Sequence, residues 1–277
     1  MKSIGILYIA TGQYIVFWED FYKSFEEHFL PTMERHYYIF TDADSFYQDD
    51  NPRVHRIFQK PEPWPLPTLL KYHRFLEIQE ALKQHDYLYQ SNGSIVCNKD
   101  VLPENFLPRE ELGEKLMFTQ HPGYRNRSPR LFPYERRRAS KAYVPYSCGK
   151  TYVFGAMNGG KTEVYLAFME RLAGQISQDL NKGIIARFHD ESYVNHYVEL
   201  HHEFRLLPCS YGYPDGMVIS DENIIACVNK SKYFDVDKYK GTTYTARMKW
   251  NLIFEKHIGS RYKVCRDKIL QRKTTEV

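Results

Sequence analysis

His189, Asp190 and Glu191 stand side by side in the segment Arg187-Phe188-His189-Asp190-Glu191-Ser192. Two adjacent carboxylates before an apolar-periodic stretch have two readings. In the first, Asp190 caps a helix and Glu191 sits in its first turn, where negative charge meets the positive end of the helix dipole. In the second, that helix start faces a cleft at a strand end, and a carboxylate there stabilises or captures an oxocarbenium-like sugar.

A second candidate is Asp86-Tyr87-Leu88-Tyr89-Gln90-Ser91-Asn92-Gly93-Ser94-Ile95, a strand pattern ending in small polar residues. Asn92 and Ser94 offer neutral oxygens, too weak alone to hold a divalent cation. A diphosphate bound there must be met by Lys, Arg and backbone N–H groups. Arg125 to Lys141 carries seven basic residues and one acid, and its arginine cluster at 134–141 suits a solvated loop, a nucleic-acid patch or a phosphate clamp equally. Gly155-Ala156-Met157-Asn158-Gly159-Gly160 with Lys161 and Thr162 fits the GxxxxGK[ST] spacing of a phosphate loop, a short pattern that does not by itself establish a nucleotide site. His201 and His202 lack HExxH spacing and nearby Cys ligands, so a metal site is not expected.

The elements that must position these residues follow from periodicity. Residues 4–10 are a continuous apolar run, as a buried parallel strand is. Phe17, Phe21, Phe25 and Phe29 recur every fourth residue on one helix face, and Pro31 ends that helix. Strands are expected at 36–41, 54–58 and 86–96, and a helix over 68–83. Residues 97–150 read as mostly loop. Helices are expected over 161–180 and from about Asp190. The order β-α-β-(β)-α-β argues for an α/β fold with an open, mostly parallel sheet flanked by helices, which binds ligands beyond the carboxyl ends of its strands.

Composition narrows the class. With 277 residues, 43% apolar and 26% charged, the chain can build a full core, so disorder is excluded as its main state. A net charge of +4 and the lack of RNA or DNA motifs argue against nucleic acid as partner. Five isolated cysteines form no CxxC pair, which favours a reducing compartment and discounts the sequons at Asn92 and Asn229. No stretch reaches about 18 apolar residues, so a cytoplasmic protein is expected, at most peripheral to the inner membrane. From about Thr242 the tail holds nine Lys/Arg against three acids, with Trp250, Ile253, Phe254 and Ile258 interspersed. This basic extension, 241–277, follows the main domain at 1–240 and is a candidate lid or membrane-surface segment.

Several blocks, in order, resemble glycosyltransferase family 6, which holds the histo-blood-group transferases, the α-1,3-galactosyltransferases and a set of bacterial relatives. They are Ile6 to Gly12 with Tyr14, Tyr37 to Asp42, His121-Pro122-Gly123-Tyr124, and Tyr134-Glu135-Arg136-Arg137 with Ser140 and Ala142-Tyr143-Val144-Pro145. Gly155-Ala156 to Gly159-Gly160 follow, then His189-Asp190-Glu191-Ser192 with Asn195 and Tyr197.

The resemblance, covering about residues 4–235 and strongest toward the bacterial branch, implies one GT-A catalytic domain with a Rossmann-like sheet. It implies retaining transfer of Gal or GalNAc from a UDP-sugar, in α-1,3 linkage, onto a β-galactoside-type oligosaccharide or lipid-linked glycan. Tyr14 would stack near uracil, with Ile9, Ala10 and Thr11 beside it. Lys71 stands where the family usually has an arginine near the donor. Asn92 and Ser94 occupy the Asp-x-Asp position, which implies work without Mn²⁺ or another cofactor, although Ser94 departs even from the Asn-x-Asn of bacterial members. Phe154, Gly155 and Ala156 align with the stretch that selects Gal or GalNAc. Asp190 would hold donor hydroxyls, Glu191 is the implied nucleophile or charge stabiliser, and Lys230 would grip the diphosphate. His121, Phe188, His189, Tyr211 and Asp215 form the implied acceptor side. The rival reading is a carbohydrate-binding protein that has lost catalysis, supported by the missing acidic pair at 92 and 94.

Overall fold

The computed structural model describes residues 1–216 and 221–239. The expected extension at 241–277 lies outside the described residues.

Among the described residues ten strands form two sheets: β1 (Ser3–Ile9), β2 (Glu34–Thr41), β3 (Val54–Phe58), β4 (Tyr87–Ser91), β5 (Ile95–Cys97), β6 (Leu116–Gln120), β7 (Val153–Lys161), β8 (Phe204–Leu207), β9 (Tyr213–Pro214) and β10 (Ile225–Cys227). The main sheet runs β3-β2-β1-β4-β7-β6-β8. Four of its pairings are parallel, and β7 alone runs antiparallel to both neighbours. The small sheet is β5-β10-β9. The expected mixed α/β fold with a mostly parallel, helix-flanked sheet is thus found, with the architecture of a GT-A-like Rossmannoid domain.

The continuous apolar run of β1 is explained by burial on both faces. Ile4, Ile6 and Tyr8 enter one core layer and Leu7 the other. Helix α1 (Trp18–His28) covers the first layer with Phe21 and Phe25, while Phe17 and Phe29, just outside its ends, continue the stripe. Helix α6 (Thr162–Leu180) packs its Phe168, Leu172 and Ile176 face into the second layer.

Other expectations are corrected. The strand foreseen over 86–96 is broken at Ser91, and the chain then crosses through Asn92–Ser94 into the small sheet. The helix foreseen over 68–83 is three short pieces, α2 (Leu66–Leu69), α3 (Lys71–Leu76) and α4 (Gln79–Leu82). The stretch read as loop contains β6 and a short helix, α5 (Pro103–Phe106). The glycines at 155–160 belong to β7, not to a loop before a helix. Close packing requires them: a Cβ at Gly159 would lie 2.3 Å from the Leu88 carbonyl oxygen of β4. No described helix is long and apolar enough to cross a membrane.

At the amino ends of the strands, His85 faces Tyr38 Oη at 2.8 Å and Ser3 Oγ at 3.2 Å, close to His36 and His55. Burial, and then the neighbouring imidazoles of His36 and His55, push His85 down to about 4. The unfolded chain therefore takes up a proton near pH 6.5 that the folded chain refuses. Stability is full above about pH 6.5 and declines as pH falls toward 4. His85→Gln is expected to flatten that decline in urea unfolding at pH 7.5 and 5. An unchanged slope would refute the assignment.

Candidate active site

Helix α7 (His189–Leu200) begins at the expected place, but its cap is Phe188, not Asp190. The Phe188 N–H donates to Ser192 Oγ at 2.9 Å, so Ser192 satisfies one orphan donor of the first turn. His189 adopts a left-handed conformation, φ 49°, with its ring 5.1 Å from that of Trp64. The two carboxylates that follow are thereby free of capping duty and turn toward β7.

Glu191 is half-buried, so part of it remains open to solvent. Its Oε1 accepts from Tyr152 Oη at 2.8 Å and its Oε2 from the Gly155 N–H at 2.9 Å. Burial pushes the carboxyl up to about 7; the bonds from Gly155 and Tyr152 oppose this, Asp190 adds to it, and Lys71 opposes it. The group is a carboxylate held at both oxygens yet poised near neutrality. Asn195 fixes the helix behind it: Oδ1 accepts from the Val153 N–H, and Nδ2 donates to the carbonyls of Val153 and Glu191.

Asp190 is buried and pairs with Lys71 at 2.7 Å. The same ammonium donates to Gln90 Oε1 at 2.9 Å and the Gly155 carbonyl at 2.7 Å. All three of its donors are used within the protein. Gly155 is therefore the hub: its N–H holds Glu191 and its carbonyl holds Lys71. A Cβ there would lie 2.7 Å from Glu191 Cβ and 3.2 Å from Asp190 Oδ2. Gly155→Ala is expected to force Glu191 from its place and lower kcat by about 100-fold, while circular dichroism still reports the native fold. Wild-type turnover in a folded Gly155→Ala protein would contradict this geometry.

Lys71 also borders a cavity of about 580 Å³ beyond the carboxyl ends of β1 and β4. Six of the residues assigned to the donor line it: Ile9, Thr11, Tyr14, Lys71, Asn92 and Lys230. Lys230 Nζ stands 5.0 Å over the Tyr14 ring. Its position follows from β10, which pairs with β5 and carries the chain back to the cleft. The opposite wall is the Pro-rich segment around Trp64. Asp190 and Gly155 contact Lys71 but are not among the residues that line this cavity. Ala10 and Ser94 are buried: the Ala10 carbonyl accepts from Thr41 Oγ1 and the Ser94 carbonyl from the Val228 N–H. Phe154 and Ala156 lie along β7, with Phe154 4.9 Å from the His121 ring. Among the described residues no three His, Cys, Asp or Glu side chains gather as a ligand group.

On the other side of Glu191, His121 packs against Tyr124, Tyr152 and Phe154. Its Nδ1 accepts from the Gly123 N–H, and burial pushes it down to about 4, so it is neutral near pH 7. Phe188 is 38% exposed and adjoins the same carboxylates, as does His189. His121 thus packs on Tyr152, which holds Glu191, while Phe188 and His189 directly precede the two carboxylates in the chain. Tyr211 is different: it is buried in the core, donating to the Asn105 carbonyl. Asp215 is tied to Lys232 at 2.7 Å and to the Asn229 N–H.

The arginine cluster is not a phosphate clamp as far as Arg136 and Arg137 are concerned. Arg136 donates to the Val144 and Pro145 carbonyls between the Tyr134 and Tyr146 rings. Arg137 pairs with buried Glu135, which also accepts from the Arg187 N–H and so fixes the entry to α7. Sequence reasoning missed Tyr152 and Gln90. A glutamine inside the buried strand β4 was itself a signal, because a buried amide needs a partner.

The cavity at the strand ends and the carboxylate pair joined to it by Lys71 form the candidate site. The model of glycosyltransferase family 6 matches residues 70–236. O-antigen biosynthesis glycosyltransferase WbnI of Escherichia coli is 36% identical over 194 residues, 70% of this chain and 81% of that protein. Globoside alpha-1,3-N-acetylgalactosaminyltransferase 1 of Gallus gallus is 31% identical over 226 residues, 77% of this chain. Histo-blood group ABO system transferase 2 of Rattus norvegicus is 27% identical over 216 residues, 76% of this chain. The chain spans 62% and 63% of these two vertebrate relatives. This chain belongs to glycosyltransferase family 6, with relatives in both bacteria and vertebrates.

Proposed function

We propose that the chain is a retaining transferase that moves galactose or N-acetylgalactosamine from a UDP-sugar, in α-1,3 linkage, onto a β-galactoside-type glycan, without a divalent cation. The observation that carries this reading is Glu191, fixed at both oxygens and left partly open beside the buried Lys71–Asp190 pair. Such a carboxylate stabilises or captures an oxocarbenium-like sugar. Uracil lies near Tyr14, and the diphosphate lies where Lys230 and the turn at Asn92 border the cavity. Cationic and backbone donors then stabilise the departing UDP. Asp190, held by Lys71, receives the hydroxyls of the donor sugar, and His121 and Phe188 flank the entering acceptor. The names of the relatives support a glycan acceptor and, for the globoside enzyme, the α-1,3 linkage. In this reading the enzyme acts in the cytoplasm, on an oligosaccharide or a lipid-linked glycan at the inner membrane.

The neutral Asn92 and the buried Ser94 also favour a second reading, a carbohydrate-binding protein without catalysis. One assay separates the two: UDP release from UDP-Gal and UDP-GalNAc, with fucosylated and plain galactoside acceptors, in EDTA and in Mn²⁺. Transfer in EDTA is expected. Activity only with Mn²⁺ contradicts metal independence, and no transfer under any condition contradicts catalysis.

A further inference from the structure

Behind the carboxylate pair, a buried polar chain runs through the core. Tyr165 Oη of α6 donates to Asn158 Oδ1 of β7 at 2.6 Å. Asn158 Nδ2 donates to Gln90 Oε1 of β4 and to the Gly155 carbonyl, both at 3.3 Å. Gln90 Nε2 donates to the Ala156 carbonyl at 2.8 Å, which fixes the amide so that Oε1 faces Lys71 Nζ. Tyr165, Asn158 and Gln90 are 0%, 1% and 2% exposed. Apolar side chains would fill this volume without the desolvation cost that buried amides incur. What the amides add is direction. Each is satisfied by the next, and the chain ends on Lys71, whose remaining donors go to Asp190 and the Gly155 carbonyl.

We propose that Gln90, backed by Asn158, is a positioning residue that holds Lys71 Nζ on Asp190 and so sets the carboxylate pair against the donor sugar. The proposal rests on the transferase reading of the site. Without the Gln90 oxygen, one N–H of a buried ammonium has no partner, and the ammonium turns to find one. Asp190 then loses its fixed counter-charge, and Glu191 loses a nearby positive group.

Gln90→Met keeps the length and removes both polar atoms. Crystals of the variant are expected to show Lys71 Nζ moved off Asp190. Turnover is expected to fall about 10- to 100-fold, as a misplaced catalytic group causes, and the acid limb of kcat against pH is expected to move upward. A merely structural role would leave that limb in place. Should the methionine variant not fold, Gln90→Asn, whose amide falls one methylene short of Lys71, gives the same readouts. A variant with Lys71 still on Asp190 overturns the proposal whatever its rate, as does a displaced Lys71 with wild-type kcat and an unmoved limb. If the wild-type protein transfers nothing, the transferase reading fails, and the crystallographic readout still decides whether Gln90 positions Lys71.

Discussion

Replacing Glu191 with glutamine is expected to lower kcat at least about 100-fold, the effect of losing one electrostatic stabiliser aimed at developing charge. Glutamine keeps the shape, and its carbonyl oxygen can still accept from Gly155 or Tyr152, so the fold should report unchanged by circular dichroism. What disappears is the negative charge. In the proposed reaction the working form is the carboxylate, and burial pushes Glu191 up to about 7. Turnover therefore rises with pH through that value and falls below it, because protonation removes the charge. The residual rate of Glu191→Gln should lack that limb. Near-wild-type turnover in the variant would remove Glu191 from catalysis.

The second large effect concerns Lys71. Its ammonium and the Asp190 carboxylate are both buried, with side chains 5% and 9% exposed. Removing one partner leaves the other as an uncompensated charge, which costs about 3–5 kcal/mol. Lys71→Met is thus expected to be strongly destabilised in urea unfolding and to lose turnover. The double variant Lys71→Met with Asp190→Asn removes both charges. It should regain much of the stability and none of the activity, since the carboxylate proposed to receive the donor hydroxyls is gone. Strictly additive losses of stability in the two single variants and the double would mean that the residues do not interact.

These two sites differ in how far sequence revealed them. Glu191 was visible because acid residues before an apolar-periodic stretch demand an explanation, and β1 and α1 were visible from an apolar run and a four-residue stripe. The handling of Glu191 was not. Tyr152 lies 39 residues away, and the Gly155 N–H is backbone in a strand whose glycines suggest a loop. A strand that packs this closely on its neighbours sheds the β-branched residues by which strands are recognised. The break after Ser91 was hidden for the opposite reason: Ile95 and Val96 continue the apolar pattern, although they belong to the second sheet. Lys71 was assigned to the donor, yet only the fold shows that Asp190, Gln90 and Gly155 occupy its ammonium. Tyr211 was placed at the acceptor by its position in the resemblance, whereas packing against Phe106 holds it in the core.

The most direct test is a crystal structure with an intact, unreactive UDP-sugar analogue in the cleft. A Glu191 carboxylate oxygen is expected within about 3.5 Å of the anomeric carbon, on the face of the sugar opposite the departing diphosphate, as reacting groups must be. A donor bound with its anomeric carbon far from Glu191, and with that side chain turned toward solvent, would contradict the account.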